Sequence, residues 1–129
     1  MKNLKSMIEN SNHIEQYFDE GGEQVNTSGK MINGKKEGTW VYYRTGGEVI
    51  GLVDFKDGKR NGKTIAYIDG EISSVVRFKN DIEDGKSEEY YKGLRIEEKE
   101  FVKGIEINRK TISGEKLFEH FPNLTADNV

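Results

Sequence analysis

The chain has no cysteine, which removes disulfides, thiolate nucleophiles and cysteine-based zinc sites and points to a reducing compartment. Histidine is almost as scarce. His13 and His120 are the only two, they lie near opposite ends, and no HExxH or comparable metal-ligand spacing links them. Each reads as a solvated or packing histidine. No GxGxxG or GxxxxGK[ST] string occurs among the 15 glycines, so nothing in the sequence forms a recognisable phosphate loop. The 20 basic residues do not exceed the 23 acidic ones and form no block, which argues against nucleic-acid binding. No stretch approaches the length of a membrane span. The start, MKNLKSMIENSNHIEQYF, lacks the apolar run and small-residue site of a secretory leader, and a cytoplasmic protein is expected.

What remains is one modest, highly charged domain. At 129 residues there is room for a single core. Leu, Ile, Val and Phe together supply 31 positions, about 24% of the chain, enough to fold but only around a thin core.

The informative feature is an internal repeat. GKKEGTWVYYRTGGEVIGLVDFKD from Gly34, GKRNGKTIAYIDGEISSVVRFKN from Gly58 and DIEDGKSEEYYKGLRIEEKEFVK from Asp81 align with one another, and a further copy begins at Gly104. Gly47, Gly70 and Gly93 recur at steps of 23, each followed eight residues later by Phe55, Phe78 or Phe101. Residues 17–32 read as a degenerate first copy with one inserted residue.

Each copy is expected to form two strands joined by a tight turn. Asp69-Gly70 and Lys92-Gly93 suit two-residue turns with positive φ, and Thr45-Gly46-Gly47 suits a three-residue loop closed by a bulge glycine. Counting outward from these turns pairs Tyr43 with Val49, Tyr67 with Ile72 and Tyr90 with Arg95. Uninterrupted alternation then places the three tyrosines on one face with Val53, Phe55, Val76, Phe78 and Phe101, as the core face. The opposite face runs from Trp40, Tyr42, Ile50 and Leu52, through Thr64, Ala66, Ser73 and Val75, to Glu89, Ile96, Glu98 and Glu100. It grades from aromatic to acidic.

Two readings of the aromatic end stand side by side. It is covered by an N-terminal helix using Leu4, Met7 and Ile8, or it meets a partner through exposed aromatic residues. At the other terminus, Leu117, Phe118 and Phe121 suggest a short helix ending near Pro122, either plugging the last hairpin or docking a partner. The expected fold is therefore an all-β array of antiparallel hairpins: a cap over residues 1–16, hairpin repeats over 17–108, and a degenerate repeat with a second cap over 109–129.

These residues resemble the variant of the membrane occupation and recognition nexus (MORN) repeat, with NGKKEGTWVYYRTGGEV as the best match. The resemblance covers residues 17–108, about 70% of the chain, and rests on recurrence more than on any one copy. It implies a single-sheet solenoid. Proteins of this kind are similar to bacterial antitoxin or immunity components of the YwqK type, which bind and neutralise a toxin, and the family offers no catalytic residues to carry over.

The carboxylates Asp81, Glu83, Asp84, Glu88 and Glu89 invite a calcium reading, but with Gly85 sixth in the loop the third ligand position falls on Ile82. No catalytic group, cofactor or metal is expected. The function read from the sequence is non-enzymatic protein binding through Trp40, Tyr42, Ile50, Leu52, Glu89, Glu98 and Glu100. Residues 81–103 hold 8 acidic against 5 basic residues, which suits a toxin with a basic surface. The alternative is a structural scaffold or membrane-peripheral module, which wants a polybasic face that the net charge of −3 does not suggest.

Overall fold

The computed structural model describes residues 4–9, 12–18 and 25–124, with side chains from residue 26 onward. The described chain is one open antiparallel sheet with a single short helix. In chain order the strands are β1 (Leu4–Glu9), β2 (Asn12–Phe18), β3 (Val25–Ile32), β4 (Lys35–Tyr43), β5 (Val49–Lys56), β6 (Lys59–Ile68), β7 (Glu71–Lys79), β8 (Ile82–Glu83), β9 (Gly85–Tyr91), β10 (Leu94–Val102) and β11 (Ile105–Thr111), followed by α1 (Gly114–His120). Nine of these eleven strands, β3 to β11, lie in the continuous part of the description. Each strand pairs with its sequence neighbour, except that β7 pairs with both the two-residue β8 and β9. Among the described residues strands that neighbour each other in the sheet also neighbour each other in sequence, the two-residue β8 aside.

The turns explain that order. Asn33-Gly34, Asp57-Gly58, Asp69-Gly70, Lys92-Gly93 and Lys103-Gly104 all have positive φ at both positions, the geometry whose twist matches the flanking strands. Asn80 and Asp81 do the same without glycine. Asp81 is tied there by its carboxylate, which accepts from the Arg60 backbone N–H at 2.8 Å and from Arg60 Nε at 3.1 Å. At Thr45–Gly47 the expected three-residue loop is present, with Gly46 and Gly47 at φ 103° and 93° and Arg44 N–H donating to Glu48 O at 2.8 Å. An Arg44–Glu48 ion pair closes its base.

Along the margin carrying Asp57, Asn80 and Lys103, each turn is also tied to the one before. The backbone N–H groups of these three residues donate to side-chain oxygens of Glu37, Asn61 and Asp84, and Gly58, Asp81 and Gly104 donate to the carbonyls of Lys36, Arg60 and Glu83. The turns therefore form a hydrogen-bonded ladder of their own.

The helix expected over Leu4, Met7 and Ile8 is not formed. That segment is β1, paired with β2 from Leu4↔Tyr17 to Glu9↔Asn12. The spacing of three apolar residues is a weak signal, and the unpaired hydrogen-bonding edge of β2 outweighs it. At the other end α1 forms where expected. Ser113 caps it by accepting from Lys116 N–H at 3.2 Å, and it stops before Pro122. Phe121 then meets Tyr91 edge-on at 5.3 Å, which ties the helix to the last hairpins.

A single sheet covers neither of its faces, and the core is correspondingly thin. Among the described apolar residues only Trp40 and Val75 are buried, at 0% and 8% exposure. Most other inward positions are half-buried, so stability rests on cross-strand ladders and same-face neighbours.

Candidate binding surface

The hairpin register carries the expected rungs Tyr43↔Val49, Tyr67↔Ile72 and Tyr90↔Arg95. The faces differ from expectation. In each hairpin one residue stands unpaired just beyond the rung: Ile50, Ser73 and Ile96. Such a bulge shifts one strand by a residue and reverses which face its later side chains occupy. The tyrosines consequently share a face with Leu52 and Val75, while Val53, Phe55, Val76, Phe78 and Phe101 lie on the other.

The two faces can be followed rung by rung. On the tyrosine face a continuous row runs Ser28, Val41, Leu52, Ile65, Val75, Glu88, Glu98, Lys110. On the phenylalanine face the parallel row runs Thr27, Tyr42, Gly51, Ala66, Ser74, Glu89, Glu97, Thr111. The seven residues expected to share one surface are therefore divided. Trp40, Tyr42 and Glu89 belong to the phenylalanine face, Leu52, Glu98 and Glu100 to the tyrosine face, and Ile50 sits at a bulge.

Trp40 is removed from any binding role by its burial. Its ring fills the space over Gly29, its Nε1 donates to Lys30 O at 3.0 Å, and Lys36 Nζ lies 4.9 Å from the ring. Tyr42 is half-buried beside it, also beneath Lys36, whose Nζ donates to the phenol oxygen at 3.4 Å.

Glu88 and Glu98 at the acidic end are internally compensated. Glu88 accepts from Arg77 Nη1 at 2.8 Å and from the Tyr90 hydroxyl at 2.7 Å, with Arg95 Nη1 at 3.9 Å. Glu98 pairs with Arg95 at 3.0 Å and Lys86 at 3.4 Å. The hydrogen bonds from Arg77 and Tyr90 hold the Glu88 carboxyl below the usual glutamate range, and the same bond, with burial, raises the Tyr90 phenol. Both side chains of the Glu88–Glu98 pair are only 15% exposed. Glu88 and Glu98 therefore offer no open charge to a basic partner, whereas Glu89, exposed on the phenylalanine face, and Glu100, half-buried on the tyrosine face, enter no ion pair among the described residues.

What the tyrosine face does present is a partly open apolar strip beside the Gly47, Gly70 and Gly93 turns. Val49 and Ile50 are 36% and 39% exposed, Ile72 is 40% exposed, and Tyr67 is half-buried with no hydrogen-bond partner for its hydroxyl among the described residues. At the margin between the Gly70 and Gly93 turns a cavity of about 460 Å³ is lined by Ile72 and Tyr90 of this face, by Ile68, Glu71 and Tyr91 of the other, and by Asp69, Ser73 and Lys92. Tyr43 and Tyr90 flank the strip, their hydroxyls engaged by Ser28 at 3.4 Å and by Glu88. Tyrosine beside aliphatic residues, half out of water on a rigid support, is the composition that anchors protein interfaces.

Among the described residues no cluster of acidic residues or histidines is arranged to hold a metal ion, and no helix is long and apolar enough to cross a membrane. His120 ends α1, exposed, with Nδ1 3.4 Å from Lys116 O.

No family profile and no curated protein matches the chain. Among solved structures it is similar to the crystal structure of accessory secretory protein 1,2 and 3 in Streptococcus pneumoniae, at 16% identity and a TM-score of 0.39, over 76% of this chain. The aligned part spans only 17% of that much longer chain.

Proposed function

We propose that this chain is a non-enzymatic protein-binding module, a MORN-like hairpin array with a 23-residue period, acting as an antitoxin or immunity-like protein that neutralises a toxin by direct contact in the cytoplasm. The resemblance of residues 17–108 to that repeat supports the family reading. The observation that carries the binding reading is the Tyr67–Ile72 rung, part-open, with no hydrogen-bond partner for the Tyr67 hydroxyl among the described residues, between two tyrosines whose hydroxyls are engaged. The tight Asp69-Gly70 turn and the paired strands on either side fix this surface before binding, so little ordering entropy is lost on association.

Tagged chain used for affinity capture from a native lysate, with mass spectrometry of the eluate, tests this. The wild type is expected to retain one stoichiometric protein, and Tyr67→Ser/Ile72→Ser to lose at least about tenfold of it, the scale of one interface hot spot. Expressed alone, that protein should arrest growth, and co-expression of this chain should relieve the arrest. Capture of nothing, or full retention by the double variant, rejects the reading.

A further inference from the structure

The sheet also concentrates positive charge that no ion pair among the described residues neutralises, Lys59 being within electrostatic reach of the Asp81 carboxylate that Arg60 holds. Lys35 opens β4, Lys56 closes β5, Lys59 opens β6 and Lys79 closes β7, and these four strands are consecutive in the sheet. All four residues therefore meet at the same margin. They share the tyrosine face as well, because their chain neighbours pair on the opposite side, Lys36 over the Phe55 ring and Arg60 over the Phe78 ring. Together they line one cavity of about 490 Å³, with Asp57, Asn61 and Asn80 between them. Asp57 is the single carboxylate in that lining, set against four ammonium groups.

None of the four lysines takes part in an ion pair among the described residues, in contrast to Lys86 and Lys99 elsewhere in the sheet. Lys56 and Lys59 are direct cross-strand partners, an arrangement of like charges that destabilises a hairpin. The scaffold beneath is fixed. Asp57 and Asn80 N–H groups are bound to Glu37 and Asn61, and the stem of Lys35 lies along Gly58, within 4.0 Å of where a Cβ would stand.

We infer that this lysine row is a docking site for an acidic extended segment of a protein partner. Three strand spacings separate Lys35 from Lys79, about 14 Å, which is the reach of about four extended residues and too long for one compact anion to bridge. The row continues past Lys79 into aliphatic residues. Ile82 pairs with Lys79, and Val102 pairs with Ile105, with exposures of 51%, 45% and 68%. The lining holds no arginine and no aromatic ring on which a base could stack, the features that single-stranded nucleic acid requires. Charge followed by aliphatic surface fits a polypeptide. This inference rests on the protein-binding reading above and assigns the partner an acidic contact, the opposite sign to that expected from the acidic count of residues 81–103.

Fluorescence anisotropy of a labelled octaglutamate peptide with the full chain at low salt tests it. The wild type is expected to bind saturably, with affinity falling as salt rises, and Lys59→Glu to weaken binding by about tenfold or more. Lys59→Glu also replaces a like-charged rung by an opposite one, so its thermal midpoint should hold or rise by a few degrees, which excludes misfolding as the cause. Lys116→Glu, an equal charge change on α1, should bind as wild type. Adding a Leu-Val-Leu tail to the peptide should tighten binding, and Ile105→Ser should abolish the gain.

Equal binding by wild type and Lys59→Glu, equal losses in Lys59→Glu and Lys116→Glu, or a tail without effect each overturns the assignment. So does tighter binding of a labelled decathymidylate, which would transfer the site to nucleic acid. Where the capture experiment has yielded a partner, its retention by Lys59→Glu sinks the lysine site while leaving the protein-binding reading intact. Because the peptide titration needs no natural partner, the two failures are separable.

Discussion

Gly29→Ala is expected to cost about 3 kcal/mol of stability and to lower the thermal midpoint by roughly 10 °C, a large effect for one methyl group. A Cβ at this position would lie 2.2 Å from Trp40 Cδ2 and 2.4 Å from its Cγ and Cε2. Those are not distances that a small adjustment relieves. The indole is anchored by Nε1 to the Lys30 carbonyl, is covered by Lys36, and has no exposed surface through which to retreat. Gly29 has no unusual backbone angle, so the cost is purely steric. Because Trp40 is the only tryptophan, a red shift of its fluorescence would report the displaced ring directly. Trp40→Ala alone should cost about 3–5 kcal/mol, and the double variant much less than the sum, since removing the ring removes the clash. A Gly29→Ala protein melting within about 2 °C of wild type would show that the sheet can move aside, contrary to this picture.

Gly29 and Trp40 also show how far the sequence could be read. Register places Gly29 over Trp40 on the phenylalanine face, where the next hairpin sets Val53 opposite Thr64. One large and one absent side chain replace two of middling size. That exchange is visible in the sequence only once the strands are aligned, because the first copy carries an inserted residue. The expected turns and tyrosine rungs formed because their signals are local: left-handed residue types at fixed positions leave the hairpin few alternatives. The bulges at Ile50, Ser73 and Ile96 carry no comparable signal. None is glycine, none lies in a turn, and each reverses the face of everything beyond it. The binding residues inferred by alternation were thereby split between two faces.

The lysine row escaped the sequence for a related reason. Lys35, Lys56, Lys59 and Lys79 are spread over 45 positions and make no charged run, and only pairing across four strands gathers them. The acidic residues of 81–103 are the converse case. They are dense in the chain, yet Glu88 and Glu98 spend their charge on Arg77, Arg95 and Lys86 within the sheet. Composition counts charges; register decides which of them face a partner uncompensated.

That internal compensation has a measurable consequence at Glu88. Glu88→Ala is expected to cost about 2–3 kcal/mol near neutral pH, since it removes two charge-assisted hydrogen bonds and leaves Arg77 and Tyr90 without their shared acceptor. Only about a seventh of this side chain meets water, so solvent replaces little of what is lost. The pH dependence has a definite sign. Arg77 and Tyr90 lower the folded-state pKa of Glu88 below its ordinary 4.5, so its contribution is complete above that value and disappears as pH falls through the lower folded value. The difference in midpoint between wild type and Glu88→Ala should therefore be largest near neutrality and shrink under acid conditions. Tyr90 acts with the opposite sign. Its pKa is raised above 10.0, first by its bond to Glu88 and then by burial, so its contribution is present below that value and lost as pH rises through the higher folded one. Thermal midpoints of wild type, Glu88→Ala and Glu88→Gln across the acid and alkaline limbs read both. Glu88→Gln keeps an acceptor for Tyr90 without the titrating charge, so it should retain part of the stability and lose the acid-limb slope. If wild type and Glu88→Gln instead fall in parallel below pH 4.5, the acid sensitivity belongs to other carboxylates and the Arg77–Glu88–Tyr90 cluster is not what holds the acidic hairpin together.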